Sequence, residues 1–229
     1  MLKSILGTKV GMTQIFDQAG NLIPVTVISA GPCVITAIRT KENDGYSALQ
    51  VGLGEKKEKS VSRPLMGQFK KNNLTPKKHL REFRVADVSA YQIGQEVKVE
   101  VFQPNEYVDV TGTTIGRGYA GGVKRYNFKG GPTTHGQSDR LRAPGSLGGQ
   151  RPQRVFRGQR MAGHLGDETV TIQKIRIVSV DPAKNILMLE GAVPGVKGGL
   201  LVIRQTVKTI KTPPPSKGAG AEKKKAAKK

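Results

Sequence analysis

The chain has 229 residues, 38 Lys and Arg against 17 Asp and Glu, a formal charge of +21 and a pI near 10.3. That balance calls for a polyanionic partner, and a membrane surface is excluded: no apolar run approaches about 18 residues, no signal-peptide layout opens the chain and no long amphipathic helix carries one basic face. The lone Cys33 excludes a disulfide framework and suits a reducing compartment, while the absence of Trp and an aromatic content of 5% predict a small aliphatic core.

In chain order, short β-branched runs come first, broken by turn residues. VGMTQIF (10–16), LIPVTVIS (22–29), CVITAIRT (33–40) and SALQVGLG (47–54) are separated by DQAGN, AGP and KENDG, and this spacing predicts antiparallel strands of a small barrel or sandwich. Residues 55–84 follow with 10 Lys and Arg against 3 acids, and short helices are predicted there. Ser62 is placed to cap a helix beginning RPLMGQF, and Thr75 before Pro76 reads as a second cap. Strands return at 97–102 and 108–115.

The 49 residues from Gly116 to His164 interrupt that grammar with 10 Lys and Arg, 12 glycines, a single acid (Asp139) and no apolar periodicity. A segment of this composition cannot build its own core, so it is expected to order on a polyanion. Glycines allow close backbone approach, and Tyr119, Tyr126 and Phe128 offer faces for stacking. The basic side chains are Arg117, Lys124, Arg125, Lys129, Arg140, Arg142, Arg151, Arg154, Arg157 and Arg160. Eight of the ten are arginine, whose planar fork suits phosphate and base recognition better than a solvated surface requires. His135 and His164, inside so basic a stretch, join the candidate RNA contacts.

Strand patterning resumes in VTIQKIRIVSV (170–180), ILMLEGAV (186–193) and LLVIRQTV (200–207). The simplest arrangement is mainly β: one barrel built from 1–115 and 165–210, with 55–84 and 116–164 leaving it as excursions. The tail 211–229, with three prolines and a closing Lys/Ala run, is expected to take shape only on phosphate.

Catalytic chemistry finds little support. GRGYAG (116–121) has the spacing of a dinucleotide fingerprint, yet the polar, basic GVKRYNFKGGP after it is no apolar helix, and Asp139 lies at no predicted strand end. His79, His135 and His164 stand at no metal-ligand spacing from one another or from Cys33. No GxSxG elbow occurs, and Ser146 has no acid or histidine near it in sequence. No enzyme, cofactor or metal is expected. A barrel that holds a nucleotide cofactor and a sequence-indifferent nucleic-acid binder are the competing readings.

The chain closely resembles the bacterial form of the third protein family of the large ribosomal subunit. The resemblance rests on ILGTKVGMTQIF (5–16), IPVTVISAGPCVIT (23–36), DGYSALQVG (44–52), LREFRV (80–85), DVTGTTIGRGYAGGVKRYNFKGGPTTHG (109–136), PGSLGG (144–149), RVFRGQRMAGHLG (154–166) and GAVPG (191–195). It implies a translation-factor-type β-barrel on the subunit surface and a long extension running toward the peptidyl transferase centre. It further implies a cytoplasmic, ribosome-bound protein that binds 23S rRNA near its 3′ end and nucleates 50S assembly beside the subunit's proteins fourteen and nineteen. Some bacterial members carry a methylated glutamine in the extension, and the resemblance puts it at Gln150, with a glutamine methyltransferase as partner. Two departures stand out: GSLGGQRP is one residue shorter than the common pattern, with Arg151 and Gln153 flanking its proline, and Tyr126 occupies a position where the family usually has tryptophan. Neither a membrane nor a homo-oligomer is called for.

Overall fold

The computed structural model describes residues 2–17 and 20–208, so the Lys-rich tail 211–229 and its expected behaviour lie outside the described residues. Twelve strands occur among them: β1 (Ser4–Phe16), β2 (Leu22–Ala30), β3 (Cys33–Arg39), β4 (Ala48–Glu55), β5 (Lys77–Arg84), β6 (Glu96–Val97), β7 (Tyr107–Thr113), β8 (Tyr119–Ala120), β9 (Gly163–His164), β10 (Thr169–Asp181), β11 (Ile186–Glu190) and β12 (Leu200–Gln205). Helices are short: α1 (Lys41–Asp44), α2 (Arg63–Lys71) and α3 (Gly122–Tyr126).

Six strands close a barrel in the order β1-β12-β7-β10-β11-β2, antiparallel throughout. Strict alternation builds it. In β7 the side chains of Val108 and Val110 point inward with Gly112, and in β12 those of Leu201 and Ile203 do. Gly112 is a packing requirement, since a Cβ there would lie 2.7 Å from Leu201 Cδ2.

The early strands do not all enter the barrel. β3 and β4 belong to a second, four-stranded sheet of order β5-β4-β3-β6, which leaves one barrel short of the strands expected of it. The reason lies in local pairing. β3 and β4 form a hairpin across α1, which ends at Gly45 in the left-handed region (φ 79), and β5 and β6 occupy their outer edges. No free edge remains to join the barrel, so the late strands close it instead.

Two further expectations give way nearby. Thr75 and Pro76 start a strand rather than a helix: the Lys56 N–H donates to the Pro76 carbonyl at 3.0 Å, and KKHLREFR then pairs along β4. Partner-strand pairing outweighs the capping preference there. The run 97–102 shrinks to the two residues of β6 followed by a 3₁₀ turn, Val99–Val101. Ser62 does precede α2, with Pro64 in its first turn, although the Ser62 hydroxyl makes no capping bond.

A single apolar cluster joins the barrel and the second sheet. Leu6, Ile28, Val108, Ile177, Leu187 and Ile203 meet Ile35, Leu49, Val51 and Phe83 within it. As composition suggests, it is overwhelmingly aliphatic. Cys33 is buried in this core, where burial pushes its thiol up to about 11 and leaves it unreactive.

The chain start is tied down by Lys3, whose ammonium donates to Glu106 at 2.7 Å. That hydrogen bond holds the Glu106 carboxyl below its ordinary value of 4.5. A depressed acid contributes stability that is present above its ordinary value and lost as pH falls through the folded-state value. Glu106→Gln is therefore expected to leave the melting temperature near pH 7 lower by the equivalent of less than about 1 kcal/mol and to shrink the fall in stability below about pH 4.5. Calorimetric melting across that range checks it.

Candidate nucleic-acid interface

The basic segment leaves and re-enters the barrel between adjacent strands. β7 and β10 are paired up to Thr113 and Thr169, and the ladder continues beyond them as a narrow stem. The Thr114 N–H donates to the Glu168 carbonyl at 2.9 Å, the Arg117 N–H to Leu165 at 2.8 Å and the Leu165 N–H to Gly118 at 2.9 Å. β8 and β9 then pair Tyr119 with His164 and Ala120 with Gly163. Gly166 (φ 82) makes the stem possible, because a Cβ there would run into the Ile115 carbonyl.

Beyond the stem the arm holds more local structure than its composition promises. α3 ends at Asn127 in the left-handed region (φ 59), a conformation asparagine tolerates, with its N–H returning to the helix carbonyls. Phe128 folds back on Gly122, where a Cβ would sit 2.9 Å from the ring. Tyr126 lies between two guanidinium groups, Arg125 at 5.0 Å and Arg160 at 5.4 Å from its ring centroid, with the Phe128 ring at 5.9 Å. The Arg125 guanidinium also donates to the Met161 carbonyl at 2.9 Å. These contacts bind the outgoing and returning strands of the arm, so Tyr126 spends its faces inside the arm rather than offering them free. At about 0.5–1 kcal/mol per cation–π contact, Tyr126→Ala is expected to open this knot, read as faster protease cleavage between residues 121 and 162 with the barrel's melting unchanged.

The rest of the candidates stand apart from one another. Arg117, Lys124, Lys129, His135, Arg140, Arg142, Gln150, Arg151, Arg154, Arg157, Arg160 and His164 are all exposed. Between 116 and 164 only Ala120 is buried. No ion pair among the described residues involves a side chain of this segment. The charge is thus uncompensated within the protein. Lys129 and Arg140 flank a hollow of about 450 Å³ beside Phe128, wide enough for a nucleotide.

Other surface features extend the basic face. Tyr119 is 81% exposed, and Phe156, absent from the candidates above, is 53% exposed amid Arg154 and Arg157. At the stem's foot a cleft of about 910 Å³ runs between β5 and the outer face of β7, β10 and β12, with His79, Arg81 and Arg204 on its wall. Burial, then the neighbouring Lys78 and Arg81 charges, lowers the His79 pKa from its ordinary value. Only the fold reveals this cleft, because its basic residues are more than 100 positions apart in sequence.

Features of other chemistries do not assemble. GRGYAG is consumed by the stem, and the helix after it, contrary to expectation, exists but has only five residues. Among the described residues no group of three or more His, Cys, Asp or Glu could hold a metal ion. None of the described helices is long and apolar enough to cross a membrane.

Comparison with known proteins follows the same line. The family described as Ribosomal protein L3 matches residues 81–185. The large ribosomal subunit protein uL3 of Carboxydothermus hydrogenoformans is 53% identical over 208 residues, covering 91% of this chain and 99% of that protein. That of Thermosynechococcus vestitus is 54% identical over 204 residues, 89% of this chain and 96% of its own length. For Corynebacterium jeikeium the figures are 50% over 208 residues, 90% and 95%. With half of its residues shared along nearly its whole described length, and a closed barrel carrying an uncompensated basic arm, the chain belongs to the ribosomal protein L3 family.

Proposed function

We propose that this protein is a structural, non-catalytic component of the large ribosomal subunit in the cytoplasm. In this reading it binds 23S rRNA near the 3′ end, nucleates 50S assembly and carries its arm toward the peptidyl transferase centre. The observation that carries the reading is the arm itself: 10 exposed or half-exposed cations on 49 residues, no ion partner among the described residues and almost nothing buried. Ordering such a segment costs on the order of 1 kcal/mol per residue, which many phosphate and stacking contacts offset together. The barrel is the rigid anchor, and the arm takes its final shape against folded RNA. Peptide transfer is left to the RNA, and the arm acts as a strut.

The roles divide by geometry. Arg117 and His164 flank the stem, Arg125, Tyr126 and Arg160 hold the arm's own fold, and Lys124, Lys129, His135, Arg140, Arg142, Arg151, Arg154 and Arg157 reach for phosphates and bases. Gln150 is exposed and open to a glutamine methyltransferase, which the mass of the arm's proteolytic peptide from native ribosomes reports. Proteins fourteen and nineteen are the proposed neighbours.

Competition between a fragment from the 3′ region of 23S rRNA and bulk RNA, at fixed salt, tests the specific part of this function. Preferential binding of the fragment, together with sedimentation of the chain with the large subunit on a sucrose gradient, is the expected result. Equal affinity for both RNAs overturns specific assembly and leaves a sequence-indifferent binder.

A further inference from the structure

One stretch of this basic protein reverses the charge. Residues 85–110 contain five acids (Asp87, Glu96, Glu100, Glu106 and Asp109) and one base, Lys98, a net of −4 within a chain of +21. Three of those acids, Asp87, Glu96 and Glu100, rim a groove of about 720 Å³ whose floor is apolar, formed by Leu2, Val97 and Val101. The groove is held open by its own bonds: the Leu2 N–H donates to the Tyr91 hydroxyl, and the Ser89 N–H to the Asp87 carboxylate at 2.9 Å. It also lies along β6, the last strand of the second sheet, whose outer edge is unpaired among the described residues.

We infer that this groove receives an extended, lysine- or arginine-rich segment of another protein, with apolar side chains on the floor and cations against Asp87, Glu96 and Glu100. Charge complementarity selects the occupant. A phosphate backbone meets repulsion from three carboxylates and attraction only from Lys98, which already lies 3.9 Å from Glu96. A purely apolar segment leaves the rim unpaired, whereas a cationic one satisfies it. Alternation of lysine and apolar residues matches an edge strand that can add one more strand, with apolar side chains facing one way and cations the other. The protein thereby separates its partners: cationic arm for RNA, anionic groove for a basic polypeptide.

The test uses the full chain, free of RNA, and a fluorescein-labelled peptide of alternating lysine and valine, followed by anisotropy. Saturable binding is expected, weakened about tenfold or more by the double variant Glu96→Lys/Glu100→Lys. The same variant is expected to keep the wild-type melting temperature, since both side chains are exposed, and to bind the 23S fragment no more weakly than before. Unchanged peptide affinity in the variant overturns the inference. Equal binding of a lysine–serine peptide also overturns it, because the apolar floor then contributes nothing. A rise in peptide affinity on removal of residues 209–229 identifies the chain's own tail as the occupant and overturns the assignment to another protein. Failure of 23S binding, by contrast, bears on the arm alone, so the two readings fall separately.

Discussion

Replacing Arg140, Arg142, Arg154 and Arg157 together by glutamine is expected to weaken binding of a 23S rRNA fragment by about a hundredfold to a thousandfold at moderate salt. These four side chains are exposed and carry no ion pair, so their electrostatic work is reserved for an outside anion. Each phosphate contact that is lost lowers the steepness of log affinity against log salt by roughly 0.7–0.9, and the quadruple variant should flatten the slope by about 3. Glutamine keeps length and hydrogen-bonding capacity, which confines the change to charge and fork geometry. Nothing in the barrel touches these residues, and thermal unfolding should not move. Filter binding from low to moderate salt, with melting curves as the control, decides the matter: an unaltered slope would place the RNA contacts elsewhere, most directly in the cleft of Arg81 and Arg204.

The second large effect concerns the seam between the sheets. Phe83, only 2% exposed, sits on β5 opposite Leu49, and the Arg204 guanidinium of β12 covers its ring at 5.3 Å. It is the largest fully buried side chain in the core, and it fastens the second sheet to the barrel. Phe83→Ala removes that packing and leaves a cavity, which costs about 3–5 kcal/mol. Against a total stability of about 5–15 kcal/mol, this is a large fraction. Urea unfolding should show the midpoint falling steeply, and Phe83→Leu should recover most of the loss. A drop of less than about 1 kcal/mol in Phe83→Ala would mean that the two sheets are held together by other contacts.

Sequence reading and structure part company in an instructive way. Strands with clean alternation, such as those of β10 and β12, could be located from period alone because each has one wet and one dry face. Which sheet a strand joins is not encoded in its own period. β3 and β4 look like barrel strands residue by residue, and only their mutual hairpin and the arrival of β5 assign them to a second sheet. β5 itself is hidden behind a cap-like Thr75-Pro76, a local preference overruled by a partner strand. In the arm, charge and exposure follow from composition, whereas the Arg125–Tyr126–Arg160 cluster brings together residues 35 apart along the chain. Tyr126 was expected to offer its ring to a base, and it is instead gripped on the protein's own side. Phe156 lies in a stretch without periodicity, so nothing but its neighbours Arg154 and Arg157 could have singled it out.

Because β7 and β10 are neighbours and the stem zips their continuation, the arm has no free end. A doubly tethered finger cannot be threaded through a hole in RNA that has already closed. Nucleic-acid helices that surround it in the finished particle must wrap over it while they are still open, which sets an order of events: the protein docks early, and the encircling tertiary joints seal afterwards.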